Sequence, residues 1–182
     1  MPSQSWSMLA NSPASGAGQG AGSALASSTT LTDISPAPQF LSQAWGQMYV
    51  GQRWRLTAYG IFSTTGTPTL LLGFYYGGVA GTALVATAAT TTGSGAASWP
   101  WEMQMLMEVR SLGSSGTVWC KGWVDFPTSL TAITRTSLPI TQTQPVTINT
   151  GTNSALTCGA QWGTNSASNT ITCEGFLVEL LD

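Results

Sequence analysis

Beyond Phe40 the chain reads as short runs in which apolar and polar residues alternate, with Gly, Ser, Thr, Asn and Pro breaking the runs. That period of two, interrupted by turn residues, is the mark of β-strands in a sandwich or barrel. In QRWRLTAYGIFST, Trp54, Leu56, Ala58, Gly60 and Phe62 share one face, and Arg53, Arg55, Thr57, Tyr59 and Ile61 share the other. TLLLGFYYGG is apolar on both faces, as for a central strand covered on both sides. TALVATAA is a weaker run. In SWPWEMQMLMEVR, Trp101, Met103, Met105, Met107 and Val109 alternate with Glu102, Gln104, Leu106, Glu108 and Arg110. Met, Glu and Leu form helices well, yet strict alternation of this kind favours a strand.

TVWCKGWVDF continues the pattern, and closing a hairpin around Gly113 and Ser114 fixes its register. Met107 then faces Cys120, Met105 faces Gly122 and Met103 faces Val124, so the two apolar faces coincide. A slip of one residue would turn a whole face outward. Further strands are expected at PVTINT, SALTCGAQW and NTITCEGFLVELLD, the last two forming a hairpin around GTNSAS. The expected fold is all-β, a jelly-roll-like antiparallel sandwich of about 8–10 strands without helices. Residues 1–38 differ in kind. They are Ala, Ser, Gly, Gln and Pro with a single charge at Asp33, and read as an extended, flexible arm attached to a sandwich domain over 39–182. Fully extended, about 35 residues would span roughly 115 Å.

Composition narrows the chemistry. Only 7% of the 182 residues are charged, against 42% hydrophobic, and histidine is absent. A soluble domain usually has about 25% charged residues, so the surface must consist of hydroxyls, amides and backbone, or be covered by other subunits. Without His there is no ready general base, triad orienter or zinc site among the three cysteines. Arg53, Arg55, Arg110, Lys121 and Arg135 are scattered along the chain, which argues against a nucleic-acid partner. The N-terminal MPSQSWSMLA resembles no secretory signal and no apolar run reaches the length of a membrane span, so synthesis and folding in the cytoplasm are expected, with no cofactor, metal or membrane.

Three constellations remain. Closing the final hairpin at Asn165 and Ser166 sets Cys158 opposite Cys173, within disulfide range; for a cytoplasmic chain a pair of buried, reduced thiols is favoured. Cys120 is left over. The register also sets Glu102 opposite Asp125, a carboxylate pair suited to glycoside hydrolysis or to a calcium ion, or simply a solvated strand end. The non-core face of the hairpin gathers Gln104, Leu106, Trp119, Lys121 and Trp123. Exposed tryptophans on a sheet serve a subunit interface or a sugar platform, unless an arm or second sheet covers them. Trp6 and Leu9 of the arm are further candidate interface residues.

STTGTPTLLLGFYYGGVAGTALVATAA, GSGAASWPWEMQMLMEVRS and above all GAQWGTNSASNTITCEGFLVELLD resemble virion structural proteins of tailed bacteriophages. The resemblance runs from about TTLTDISPAPQ to the C-terminus. It implies a compact β-sandwich attached to a capsid or tail, often trimeric, with no catalytic residues. The expectation is thus a non-enzymatic capsid decoration or cement protein of the virion, assembled in the host cytoplasm, that binds the major capsid protein and copies of itself as a homotrimer. The alternative is a tail or fibre module that binds host-surface glycans.

Overall fold

The computed structural model describes residues 21–36, the backbone of 39–40, and residues 48–129 and 131–181. Among the described residues thirteen strands follow one another: β1 (Leu25–Ala26), β2 (Thr32–Asp33), β3 (Gln39–Phe40), β4 (Arg53–Ser63), β5 (Thr69–Tyr76), β6 (Thr82–Ala86), β7 (Thr90–Thr91), β8 (Trp99–Ser111), β9 (Gly116–Ser129), β10 (Ala132–Leu138), β11 (Val146–Ile148), β12 (Ala155–Trp162) and β13 (Thr170–Leu181). They form two antiparallel sheets. The seven-stranded sheet runs β1-β13-β4-β8-β9-β10, with β11 also paired to β9; the six-stranded sheet runs β2-β12-β5-β6, with β3 on β12 and β7 on β5. Pairing of β4 with β13 in one sheet continues into pairing of β5 with β12 in the other, the winding that gives a jelly-roll-like sandwich.

Alternation is what drives these segments together. The inward set of every long strand joins one core, with Leu56, Phe62, Leu72, Phe74, Met103, Met105, Trp162 and Phe176 almost fully buried. Phe74 and Phe176 stack across the two sheets with ring centroids 5.7 Å apart, and Phe62 meets Phe126 edge-on at 6.3 Å. Segment 99–111 is a strand, as its alternation requires, and the β8–β9 register is the expected one: Met107 to Cys120, Met105 to Gly122, Met103 to Val124. Gly113, at φ 112°, makes the turn; its carbonyl accepts from Gly116 N at 3.0 Å and from Thr150 N at 3.1 Å.

Four expectations need correction. First, β12 and β13 do not form a hairpin. β12 lies between β5 and the short β2 and β3, whereas β13 lies between β4 and β1, so the chain crosses from one sheet to the other. The GTNSAS segment reverses the chain, but long-range partners choose its sheet. Second, β5 is central and mostly buried, yet among the described residues its outer face is covered by its own Tyr75 and not by a further sheet. Tyr75 lies down over Gly73 and Gly159: a Cβ added at either would come within 3.0 Å and 2.7 Å of its ring. Third, β10 is a seven-residue strand where none was expected.

Fourth, the low-charge segment is part of the sandwich from residue 21 onward, inside the boundary expected at 38. β1 pairs with β13 and β2 with β12, so the segment bridges the edges of both sheets. Gly22 N donates to Cys173 O at 2.8 Å, Ile34 N to Cys158 O at 2.9 Å, and Cys158 N to the Ser35 hydroxyl at 2.7 Å. Leu25 and Ile34 enter the core. Two well-placed apolar side chains and the edge hydrogen bonds suffice to fix a composition that resembles a linker. Residues 1–20, with Trp6 and Leu9, lie outside the described residues.

Candidate functional site

The residues that alternate with the core on β13, β4, β8 and β9 form the outer face of the seven-stranded sheet, and pairing arranges them in rows across it. At one end Leu181, Arg53, Glu108 and Trp119 lie side by side. Next come Glu179, Arg55, Leu106 and Lys121, then Leu177, Thr57, Gln104 and Trp123. Beyond them stand Tyr59, Glu102, Asp125 and, on β10, Arg135. Gln104, Leu106, Trp119 and Trp123, singled out from the sequence, are thus neighbours on one surface. Among the described residues no second sheet covers them: Leu106 is 50% exposed and Trp119 44%, with Tyr59, Ile61 and Ile133 also exposed.

The same face collects charge. All five cations that look scattered in sequence, Arg53, Arg55, Arg110, Lys121 and Arg135, belong to it, because strands far apart in the chain are adjacent in the sheet. Four carboxylates are interleaved. Arg55 Nε donates to Glu179 at 2.7 Å, Arg53 Nε to Glu108 at 3.0 Å, and Arg110 approaches the other Glu108 oxygen at 3.2 Å. The Arg55 hydrogen bond, helped by its charge and opposed by partial burial, holds the Glu179 carboxyl below its ordinary range. Among the described residues Lys121 and Glu102 have no ion pair.

Glu102 does stand opposite Asp125, as expected. Asp125, however, is held by a fork from Arg135, with Nε at 2.8 Å from one oxygen and Nη2 at 2.5 Å from the other. The guanidinium that binds Asp125 also lies 4.2 Å above the Trp123 ring. One arginine therefore neutralises the carboxylate that a hydrolytic pair would need and covers the ring that a two-tryptophan sugar platform would need. Trp119 is looser, with the Arg110 guanidinium 5.9 Å from its centroid. A depression of about 390 Å³ is lined at this end by Tyr59, Pro100, Glu102, Asp125, Pro127 and Ile133.

The cysteines sit elsewhere. Cys158 and Cys173 are both free and fully buried, on facing sheets, so they meet across the core and not within a hairpin. Burial pushes the Cys158 thiol well up, reinforced by a hydrogen bond with Cys173. Burial alone pushes Cys120 up to about 12. Such thiols are poor nucleophiles and poor ligands, and they act as small core side chains. Among the described residues no three His, Cys, Asp or Glu side chains converge as metal ligands, and no helix is long and apolar enough to cross a membrane. Comparison of the chain with protein-family models, with curated proteins and with solved structures finds no match.

Proposed function

We propose that this chain is a non-enzymatic structural protein of a tailed-phage virion, most simply a capsid decoration protein assembled in the host cytoplasm, which binds the major capsid protein and its own copies as a trimer. The observation that carries this reading is the outer face of the seven-stranded sheet. It sets large exposed side chains (Leu106, Trp119, Tyr59, Ile133) among interleaved charges, a mixture typical of protein interfaces, where aromatic residues and Arg dominate the energetics. The sandwich and the resemblance in its three longest motifs agree with it. A low overall charge lets many copies pack closely without repulsion.

Labelled protein on intact particles is the direct test. Density on the head, together with a trimer by light scattering, is the expected result; label on the tail, or no label, overturns the decoration role. The arm is tested by two truncations. Removing residues 1–20 keeps every described residue and lowers particle occupancy if the arm ties the protein to the shell. Removing 1–36 takes Leu25 and Ile34 out of the core and destabilises the domain itself. Glycan binding has less support, because Arg135 occupies the Trp123 ring. Retention on a glycan array that is lost in Trp119→Ala would reverse that ranking.

A further inference from the structure

Tyr59 and Glu102 repeat, without an arginine, an arrangement that the next strands complete. On β9 and β10 a carboxylate and a ring share one cation, Arg135, which forks Asp125 and lies 4.2 Å above Trp123. On β4 and β8 Tyr59 and Glu102 are register partners on the same face, close enough for one group to touch both. Both are exposed, and Glu102 makes no ion pair. Outside the described residues there is no Lys, Arg or His to supply one. Asp182 follows Leu181, which pairs with Arg53 at the opposite end of the face. Glu102 lines a depression of about 390 Å³ whose apolar part is Tyr59, Pro100, Pro127 and Ile133, the last 72% exposed. Of the two carboxylates in that lining, Asp125 is matched by Arg135 and Glu102 is unmatched. A complementary ligand brings one planar cation and an apolar flank.

We infer that this depression docks an arginine side chain of the partner protein, with its guanidinium on Glu102 and the Tyr59 ring and the residues beside it on Pro100, Pro127 and Ile133. The inference rests on the proposed role as an assembly protein and names the chemistry of its partner. Arginine suits the site better than lysine. Its plane stacks on a ring while two N–H groups reach one carboxylate, as Arg135 already does with Trp123 and Asp125. An ammonium group offers a point charge without the stacking plane.

Binding of three blocked pentapeptides to the full chain, followed by calorimetry and tryptophan fluorescence, tests this: Leu-Pro-Arg-Leu-Pro, its citrulline analogue, which keeps the shape and loses the charge, and its glutamate analogue. The arginine peptide is expected to bind about ten-fold more tightly than the citrulline peptide. Glu102→Gln should abolish that difference and leave the citrulline peptide unchanged, whereas Ile133→Ala should weaken both several-fold. Arg135→Gln releases Asp125 and Trp123, so it should tighten the arginine peptide several-fold, a gain that damage to the fold does not produce. Equal binding of the arginine and citrulline peptides, indifference of the arginine peptide to Glu102→Gln, preference for the glutamate peptide, or weaker binding by folded Arg135→Gln overturns the inference. Binding that appears only once the α-amino group of Met1 is acetylated would make the chain's own end the occupant, and self-association lost in Glu102→Gln would make it a second copy; either result also overturns it. The two readings fail separately. Arginine-peptide binding by a protein absent from particles sinks the virion role alone, whereas particle occupancy untouched by Glu102→Gln, with no peptide binding, sinks this site alone.

Discussion

The two outer faces of the sandwich are built on the same inward pattern and finished in opposite ways. On the six-stranded sheet the outward residues of β5 and β12 are Thr69, Leu71, Gly73, Tyr75, Ala155, Thr157, Gly159 and Gln161, with Asp33 of β2 the only charge among the described residues of that face. The large side chain there folds down onto the glycines, and Tyr75 ends buried, its hydroxyl pushed up to about 12 by loss of water. On the seven-stranded sheet the strands are longer, 11 to 14 residues in β4, β8, β9 and β13 against 8 in β5 and β12, and their large outward side chains stand up. Among the described residues one surface is closed by the chain itself and the other stays open. With so few charges in the chain, placing all five cations on one face is what distinguishes the two.

If that contrast is right, aromatic truncation has unequal costs. Tyr75→Ala removes a buried ring and uncovers two glycines, and should cost about 2–4 kcal/mol; at this chain length each kcal/mol moves Tm by roughly 2–4 °C. Trp119→Ala, on the open face, should stay within about 1 kcal/mol while weakening assembly. Equal losses in thermal unfolding would mean that Trp119 is a structural residue and that the faces do not differ. The centre of each sheet gives a smaller version of the same experiment. Gly159→Val drives a Cβ to within 2.7 Å of the Tyr75 ring and 2.9 Å of Val79, an overpacking expected to cost about 1–3 kcal/mol. Gln104→Val, at the matching outward position of β8, should change stability by less than about 0.5 kcal/mol.

Much of this was legible in the sequence, because the inward residue of each long strand is decided locally. The alternation in 53–63 and 99–111 and the coincidence of Met107 with Cys120 leave one register, and with it the meeting of Gln104, Leu106, Trp119 and Trp123. What escaped is what partners at long range decide. β10 lies at a sheet edge, with five of its seven residues exposed, so its sequence AITRTSL carries no burial signal to read. Arg55 and Glu179 meet across 124 positions, and nothing in either local sequence marks the pair. Ile34 joins the core as a single apolar residue in a polar stretch, below the threshold of any periodic pattern. The GTNSAS turn specifies reversal alone, since both following arrangements, a hairpin or a crossing to the other sheet, bury Cys173.

The smallest effect separates the faces by pH. The Arg55–Glu179 pair lies on the open face, with side chains 39% and 22% exposed, so its contribution is of the order of 0.5 kcal/mol. The native Glu179 carboxyl titrates below its ordinary value of 4.5, held there first by the Arg55 hydrogen bond. A carboxyl depressed in the native state adds stability that is fully present above the unfolded value and is lost as pH falls through the lower native one. The difference in unfolding free energy between wild type and Glu179→Gln should therefore be constant from neutral pH down to about 5, shrink below about 4.5, and diminish with salt. On the closed face, Gln161 donates to Thr29 O at 2.6 Å, a neutral bond, so the cost of Gln161→Ala should be flat over the same range. A flat difference for Glu179→Gln would show that the pair acts through packing and not through its charge.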